Sequence, residues 1–348
     1  MPQALRNILK NEPVEASAPC RIDMGGTLDI SSFYFPLRHY QPCTVNIALN
    51  LRTHVKLLPY TRGRIKISSR GFKSAEYPLE NVPMTHPLGL MFAVVSYFGE
   101  DGIEVIVNST SPPQSGLGGS SAAAVALIGA YLKGLPKEKI KKKDIALLAH
   151  AIEGSVAGVP CGIQDQLAAA YGGIHAWHWL GDGDGVSFRK RSIVKKREYK
   201  KFENRLLLAY CGIPHDSKQV NQKWVSQFMA GRFRDKWIEI IDCTRAFSDA
   251  LSRGEIGAAA DWMNRETAIR KRMTPEVLDP VGRQLVASAT KIGCGARFTG
   301  AGGGGCIWAL GESREIHRLK DRWVSILSKH PTAKLLNVDI ASEGLMVK

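Results

Sequence analysis

The chain has 348 residues, 44% of them hydrophobic, which is enough for about two domains, each with its own core. A formal net charge of +15, from 47 Lys and Arg against 32 Asp and Glu, points to acidic small-molecule partners or to solubility. Seven scattered cysteines without a CxxC pair, and nine histidines without metal-site spacing, argue for reduced thiols and against a structural zinc.

The leader "MPQALRNILKNEPVEASAP" lacks a secretory apolar segment, and the longest apolar run, residues 122–132, is too short to span a membrane, so a soluble cytoplasmic protein is expected. Next, "APCRIDMGG" is a strand-like entry into glycines, and "CTVNIALNLRTHVKLLPY" followed by "RGRIKISS" predicts a meander of strands. A helical stretch, "LGLMFAVVSYFG", begins at Leu88, and in "GIEVIVNST" the alternation of Ile103, Val105 and Val107 with polar neighbours predicts a strand.

That strand runs into "SPPQSGLGGSSAAAVALIGAYL" at 111–132, which reads as a loop and then a helix. Gly116, Gly118 and Gly119 let the backbone approach a ligand, and a helix beginning near Ser120 offers unpaired N–H groups and a positive dipole end. The combination is a cradle for an anion. It is not a P-loop, because no Lys follows the glycines, nor a Rossmann turn, because Ser121 stands where the last glycine belongs. The alternative is a plain turn with Ser120 as helix N-cap.

In "KKDIALLAHAIEGSVAG", Ile145, Leu148, Ala149, Ile152 and Val156 have helical spacing. "LGDGDG" at 180–185 and the basic run after it look least ordered, which places a domain boundary between roughly 185 and 205 and gives domains 1–195 and 196–348. The second half opens with a strand at Leu206 to Tyr210, continues in helices to about residue 290, and closes with "ARFTGAGGGGCIWAL", a second glycine cluster directly before a strand. Gly300, Gly302 and Gly305 match GxGxxG, but the following strand excludes a Rossmann site, and the absence of HRD and DFG excludes a protein kinase. A turn between two strands remains open. The basic runs at 137–143 and 189–205 have no aromatic interleaving or nucleic-acid-binding module, so they read as solvated surface and nucleic acid is not expected.

Taken together, "APCRIDMGGTLDI", "SPPQSGLGGSSAAAVAL" and "GARFTGAGGGGCIWAL" resemble, in order and separation, the three signature motifs of the GHMP kinases, over nearly the whole chain. "GIQDQLAAAYGGIHAW" and the RID of "CRIDMGG" are similar to heptose-7-phosphate kinases and fucokinases, and fit galactokinase and mevalonate kinase less well. The resemblance implies an α+β, two-domain GHMP kinase fold, with a ribosomal protein S5 domain 2-like N-terminal domain, a ferredoxin-like C-terminal domain and the site in the cleft between them. It implies an ATP- and Mg²⁺-dependent sugar kinase, with the anomeric hydroxyl of a heptose 7-phosphate or a related sugar as preferred acceptor. A different acceptor (galactose, fucose or an isoprenoid alcohol) and a catalytically silent sugar- or nucleic-acid-binding regulator are the alternatives.

By the same resemblance, the backbone of Gly116, Leu117, Gly118, Gly119 and Ser120 would wrap the triphosphate, and Ser121 and Glu153 would be the Mg²⁺ ligands, which suits the preference of Mg²⁺ for hard oxygens. Asp165 matches the catalytic aspartate, with Arg21 as its partner. A carboxylate is a weak base for a sugar hydroxyl, so Asp165 would orient the hydroxyl and take its proton late. Asp29 and Asp23 are candidates for sugar hydroxyls, although Asp23 could instead pair with Arg21, two residues away on the same strand face. His215 or Ser217 could touch substrate from the loop opening the second domain, and Gly302 and Gly303 would close over the site. From Arg21 to Asp29 the chain is one residue shorter than the family's usual span, so delivery of Asp29 to the cleft is a question for the structure.

Overall fold

The computed structural model describes residues 2–134, 141–158, 160–182, 185–214 and 217–348. Strands β1 (Val14–Met24), β2 (Cys43–Pro59), β3 (Arg64–Ser69), β4 (Ala75–Pro78), β5 (Ile103–Ser109), β6 (Ile174–Trp179) and β7 (Phe188–Ser192) build a first sheet, and β8 (Leu206–Tyr210), β9 (Gly295–Phe298), β10 (Cys306–Leu310) and β11 (Lys334–Leu336) a second. A last strand, β12 (Met346–Val347), returns to pair with β1. The helices are α1 (Pro2–Leu9), α2 (Ser31–Tyr34), α3 (Gly89–Phe98), α4 (Gly119–Tyr131), α5 (Lys142–Ala157) and α6 (Gln164–Tyr171), then α7 (Tyr199–Glu203), α8 (Ser217–Met229), α9 (Arg234–Arg253), α10 (Ile256–Met273), α11 (Pro280–Ile292) and α12 (Ser313–Leu327).

The expected meander is interrupted. β2 and β3 are consecutive in sequence, yet β5 lies between them, antiparallel to β2 and parallel to β3, so the path runs β12-β1-β2-β5-β3-β4. At 17 residues, β2 is long enough to serve two partners along its other flank from β1: its start pairs with β6 and its end with β5. Helix α4 is apolar and buried all round because it packs on β1 and β2 and is covered by α3, α5 and α6. Packing on every side holds the start of α4 at one end of the sheet.

In the second sheet the strands are antiparallel in the spatial order β11-β8-β10-β9. Numbered along the chain this is 4-1-3-2 with helices in both crossovers, the β-α-β-β-α-β arrangement of a ferredoxin-like domain. The chain therefore has two α+β units, as the resemblance implies, the second of them ferredoxin-like. A division at residues 195 and 196 does not describe the last segment. Ile340 bridges to Leu49, Lys348 N–H donates to Glu15 at 2.8 Å, and β12 extends the first sheet. All seven cysteines are free thiols, and among the described residues no helix is long and apolar enough to cross a membrane.

Candidate active site

A cavity of about 380 Å³ opens where the Gly-Ser loop, the starts of α4 and α6, the turn after β1 and the glycine-rich turn after β9 converge. Arg21, Asp29, Gly116, Leu117, Gly118, Gly119, Ser120, Ser121, Glu153 and Asp165 all line it. The sequence separates the first and last of these by 144 residues.

The loop itself is built for backbone approach. Gly116 and Gly118 sit at φ of +74° and +75°, where a side chain is strained, and Gly118 rather than Ser120 is the N-cap of α4. The first N–H groups of α4 have no acceptor inside the helix, and they head a 13-residue dipole. No side chain caps them, which leaves Ser120 and Ser121 without the capping role weighed for Ser120.

Arg21 ties this loop to Asp165. Its Nε and Nη2 both reach Oδ1 of Asp165 at 2.7 Å, its Nη1 donates to the carbonyl of Gly116 at 2.6 Å, and its own N–H donates to the carbonyl of Leu117 at 2.9 Å. Burial opposes the charge of Arg21, but Asp165 and then Asp23 outweigh it and hold its pKa above the ordinary arginine value. Asp165 stands in the first turn of α6, next to the loop, so a Cβ on Gly118 would lie 3.1 Å from its Oδ2.

Asp29 reaches the same cavity despite the shortened segment. The turn that brings it there holds Thr27 at φ +83°, and its carboxylate, in a residue only 4% exposed, accepts from Thr27 N–H and from Gln164 N–H, both at 3.0 Å. The second bond caps α6 one residue before Asp165. The approach is close enough that a Cβ on Gly162 would fall 1.7 Å from Oδ2 of Asp29, so only glycine fits there. Burial, opposed by the Gln164 hydrogen bond and aided by Asp165, pushes the Asp29 pKa up to about 6. A raised carboxylate pKa means the folded state holds the proton longer, so stability from this group is complete below about pH 4 and is lost as pH rises through about 6. Melts of wild type and Asp29→Asn should therefore diverge with pH. The variant loses one hydrogen bond at every pH, but it should gain on the wild type between pH 4.5 and 7, and a difference independent of pH would contradict this.

On the other side of the loop, Ser121 Oγ donates to Glu153 Oε2 at 2.8 Å, and Gln166 Nε2 donates to the same oxygen at 2.6 Å. Among the described residues no group of three His, Cys, Asp or Glu could hold a metal. Ser121 and Glu153 thus offer one hydroxyl and one carboxylate, hard oxygens that fit a Mg²⁺ whose remaining positions are filled by phosphate and water. Gln166, which sequence reasoning passed over inside "QDQ", fixes the Glu153 carboxylate in place.

Three expected substrate contacts are placed elsewhere. Asp23 does not line the cavity: it is 1% exposed, its Oδ2 accepts from Arg297 Nη1 at 3.0 Å and its Oδ1 from Gly300 N–H at 2.7 Å, so its alternative role beside Arg21, at 3.5 Å, is the one the geometry supplies. Gly302 and Gly303 turn inward, donating to Thr299 and Val277 carbonyls at 3.3 and 2.9 Å, and the same turn presents Gly300 and Ala301 to the cavity instead. His215 lies outside the described residues, as does the side chain of Ser217. Beyond the loop, Ser69, Arg70, Phe72, Leu88, Met91 and Pro113 line a mixed niche that no sequence pattern announced.

The family model for the GHMP kinases N terminal domain matches residues 88–173, and that for the GHMP kinases C terminal matches residues 247–328. A mevalonate kinase of Pyrococcus horikoshii is 27% identical over 321 residues, covering 87% of this chain and 90% of its own. A D-glycero-alpha-D-manno-heptose 7-phosphate kinase of Campylobacter jejuni is 23% identical over 310 residues, covering 85% and 88%. The crystal structure of Lactococcus lactis galactokinase complexed with galactose superposes with a TM-score of 0.73 at 16% identity, covering 98% of this chain and 99% of that one, a likeness of fold.

Proposed function

We propose, on the premise that this chain belongs to the GHMP kinases and is an ATP-using phosphotransferase acting on an alcohol group, that its cleft phosphorylates a sugar, with the anomeric hydroxyl of a heptose 7-phosphate as preferred acceptor. The observation that carries this reading is the convergence of Asp165, Arg21 and Asp29 on one cavity with the Gly-Ser loop. Phosphoryl transfer depends mainly on positioning and on electrostatic stabilisation, and each residue has a share in that.

The N–H groups at the start of α4 would receive the phosphates of ATP, with the adenine directed to the niche around Phe72 and Met91. Ser121 and Glu153 would hold Mg²⁺, which when bound neutralises charge on the phosphate oxygens. Asp165 would align the acceptor hydroxyl and take its proton as the phosphoryl group arrives, while Arg21 fixes that carboxylate and supplies positive charge beside it. The carboxylate of Asp29 has lone pairs left over from its two backbone bonds, which suits a sugar's neighbouring hydroxyls. The excess of basic residues agrees with a substrate that already carries phosphate.

A mevalonate-type alcohol is the second reading, favoured by the 27% identity to a mevalonate kinase. ADP release from Mg-ATP across heptose 7-phosphates, hexoses, fucose, mevalonate and homoserine separates the two. Turnover confined to a heptose 7-phosphate is the expected result. Turnover of mevalonate alone would replace the sugar reading, and ATP binding without turnover of any acceptor would favour a silent regulator.

A further inference from the structure

Behind the site lies a set of charges that the mechanism above does not use. Asp23, Glu266, Arg270 and Arg297 are buried, and the side chains of Asp23, Glu266, Arg270 and Arg297 in these ion pairs are all 0% exposed. Arg297, on β9, spans two carboxylates: Nη1 donates to Asp23 Oδ2 at 3.0 Å, and Nε donates to Glu266 Oε2 at 3.0 Å. Glu266 in turn accepts from Nε of Arg270, one helical turn along α10, at 2.7 Å. Arg270 then reaches back across the cleft, donating from Nη2 to the carbonyl of Gly26 at 2.6 Å and from Nη1 to Thr27 Oγ1 at 3.3 Å. Trp224 and Trp237 flank its guanidinium at 4.7 and 5.0 Å, and Phe298 lies 4.4 Å from that of Arg297.

With Arg21 and Asp165 added, the charges alternate in one continuous line: Asp165, Arg21, Asp23, Arg297, Glu266, Arg270. The line begins in the cavity of the first domain, passes into the second, and returns to the turn that carries Asp29. Gly300 N–H on Asp23, and Thr299 Oγ1 donating to the carbonyl of Ser115 at 3.3 Å, fasten the glycine-rich turn to β1 and to the Gly-Ser loop.

We propose that Arg297, with Glu266 and Arg270 behind it, is a positioning residue for phosphoryl transfer: it occupies Asp23, so that Arg21 stays engaged with Asp165 and the Gly116 carbonyl. Two observations carry this. Arg21 has two carboxylates in reach, Asp165 at 2.7 Å and Asp23 at 3.5 Å, and Asp23 is held by a second and nearer cation, Arg297, at 3.0 Å. A buried ion-pair cluster is also a poor way merely to join domains, because apolar residues of the same volume hold an interface as well or better. What the charges add is a fixed geometry, and that geometry ends on Asp165. The inference rests on the kinase reading, in which Asp165 meets the acceptor.

The test uses Arg297→Lys, which keeps the charge, although a single ammonium cannot bridge Asp23 and Glu266 as the planar fork does. A triple variant, Glu266→Leu with Arg270→Met and Arg297→Met, removes the three charges behind Asp23 and leaves Asp23 with Arg21 as its cation. In Arg297→Lys, kcat should fall at least tenfold while KM for ATP stays within twofold and the melting temperature within a few degrees. The folded triple variant should show the same split between kcat and KM for ATP, at a melting temperature below wild type because buried Asp23 has lost its nearer cation. Should the triple variant fail to fold, Arg297→Lys decides alone. A kcat at the wild-type level in Arg297→Lys overturns the proposal, and so does a loss shared equally by kcat, KM for ATP and thermal stability, the mark of a merely structural role. Wild type is assayed alongside on the acceptor panel. Absence of any wild-type turnover would overturn the kinase reading and this inference with it, whereas an active wild type with an equally active variant overturns this inference alone.

Discussion

Replacing Asp165 by Asn is expected to lower kcat by about 10³-fold, within the roughly 10²–10⁴ range for a positioned acid–base group, while nucleotide affinity and melting temperature stay near wild type. The two shortest contacts of this carboxylate, from Nε and Nη2 of Arg21 at 2.7 Å, converge on a single oxygen, Oδ1. An asparagine can present its carbonyl oxygen there and keep the guanidinium in place, so the fold has little reason to suffer. What it cannot do is accept the acceptor's proton. ADP release, a nucleotide titration and a thermal melt on the same preparation separate the outcomes. A variant with more than a tenth of wild-type turnover would remove Asp165 from the chemistry.

Arg21→Met should be damaging in two ways. Activity is expected to drop at least 10²-fold, the scale associated with losing one preorganised charge-stabilising donor. Stability should fall as well, because the arginine is 4% exposed and serves Asp165, Asp23 and the carbonyl of Gly116 together. Removing one partner of a buried pair costs about 3–5 kcal/mol. The lower end applies here, since Asp23 keeps Arg297 and the side chain of Asp165 is 23% exposed to water. Arg21→Lys should recover much of the stability and little of the turnover, because one ammonium cannot reach three acceptors at once. Denaturant melts and kcat for both variants check this, and an active Arg21→Met enzyme would contradict the account.

Much of the local structure was legible in the sequence. Period-two alternation located β5, and the apolar run after the glycines located α4 to within a residue of its start at Gly119. The family resemblance paired Ser121 with Glu153 across 32 residues of chain, and the structure places Ser121 Oγ 2.8 Å from Glu153 Oε2. The failures are long-range. Strand order depends on which partner β2 and β3 find, and nothing within 43–69 announces that β5 will lie between them. Asp23 carried a sugar-binding expectation because a carboxylate suits paired hydroxyls, and Arg21 was the one pairing partner its sequence neighbourhood offered, whereas its strongest partner, Arg297, comes 274 residues later. Glu266 and Arg270 do have the i, i+4 spacing of a helix salt bridge, a signal that was available. On a polar helix that spacing reads as solvated surface, and only the packed tryptophans show it to be interior. The demand for glycine at 162 arises from the approach of Asp29, which no local pattern encodes.

The central claim is that this cleft passes the γ-phosphoryl group of ATP to an acceptor hydroxyl aligned by Asp165. Phosphorus-31 NMR of Mg-ATP with the acceptor that releases ADP fastest, for wild type and Asp165→Asn side by side, measures this directly. The account predicts that the γ-phosphorus signal of the wild-type reaction moves into a phosphate ester of the acceptor, with ADP formed in equal amount, and that the variant leaves ATP intact. Release of the γ-phosphorus as inorganic phosphate, or equal ester formation by both proteins, would contradict it.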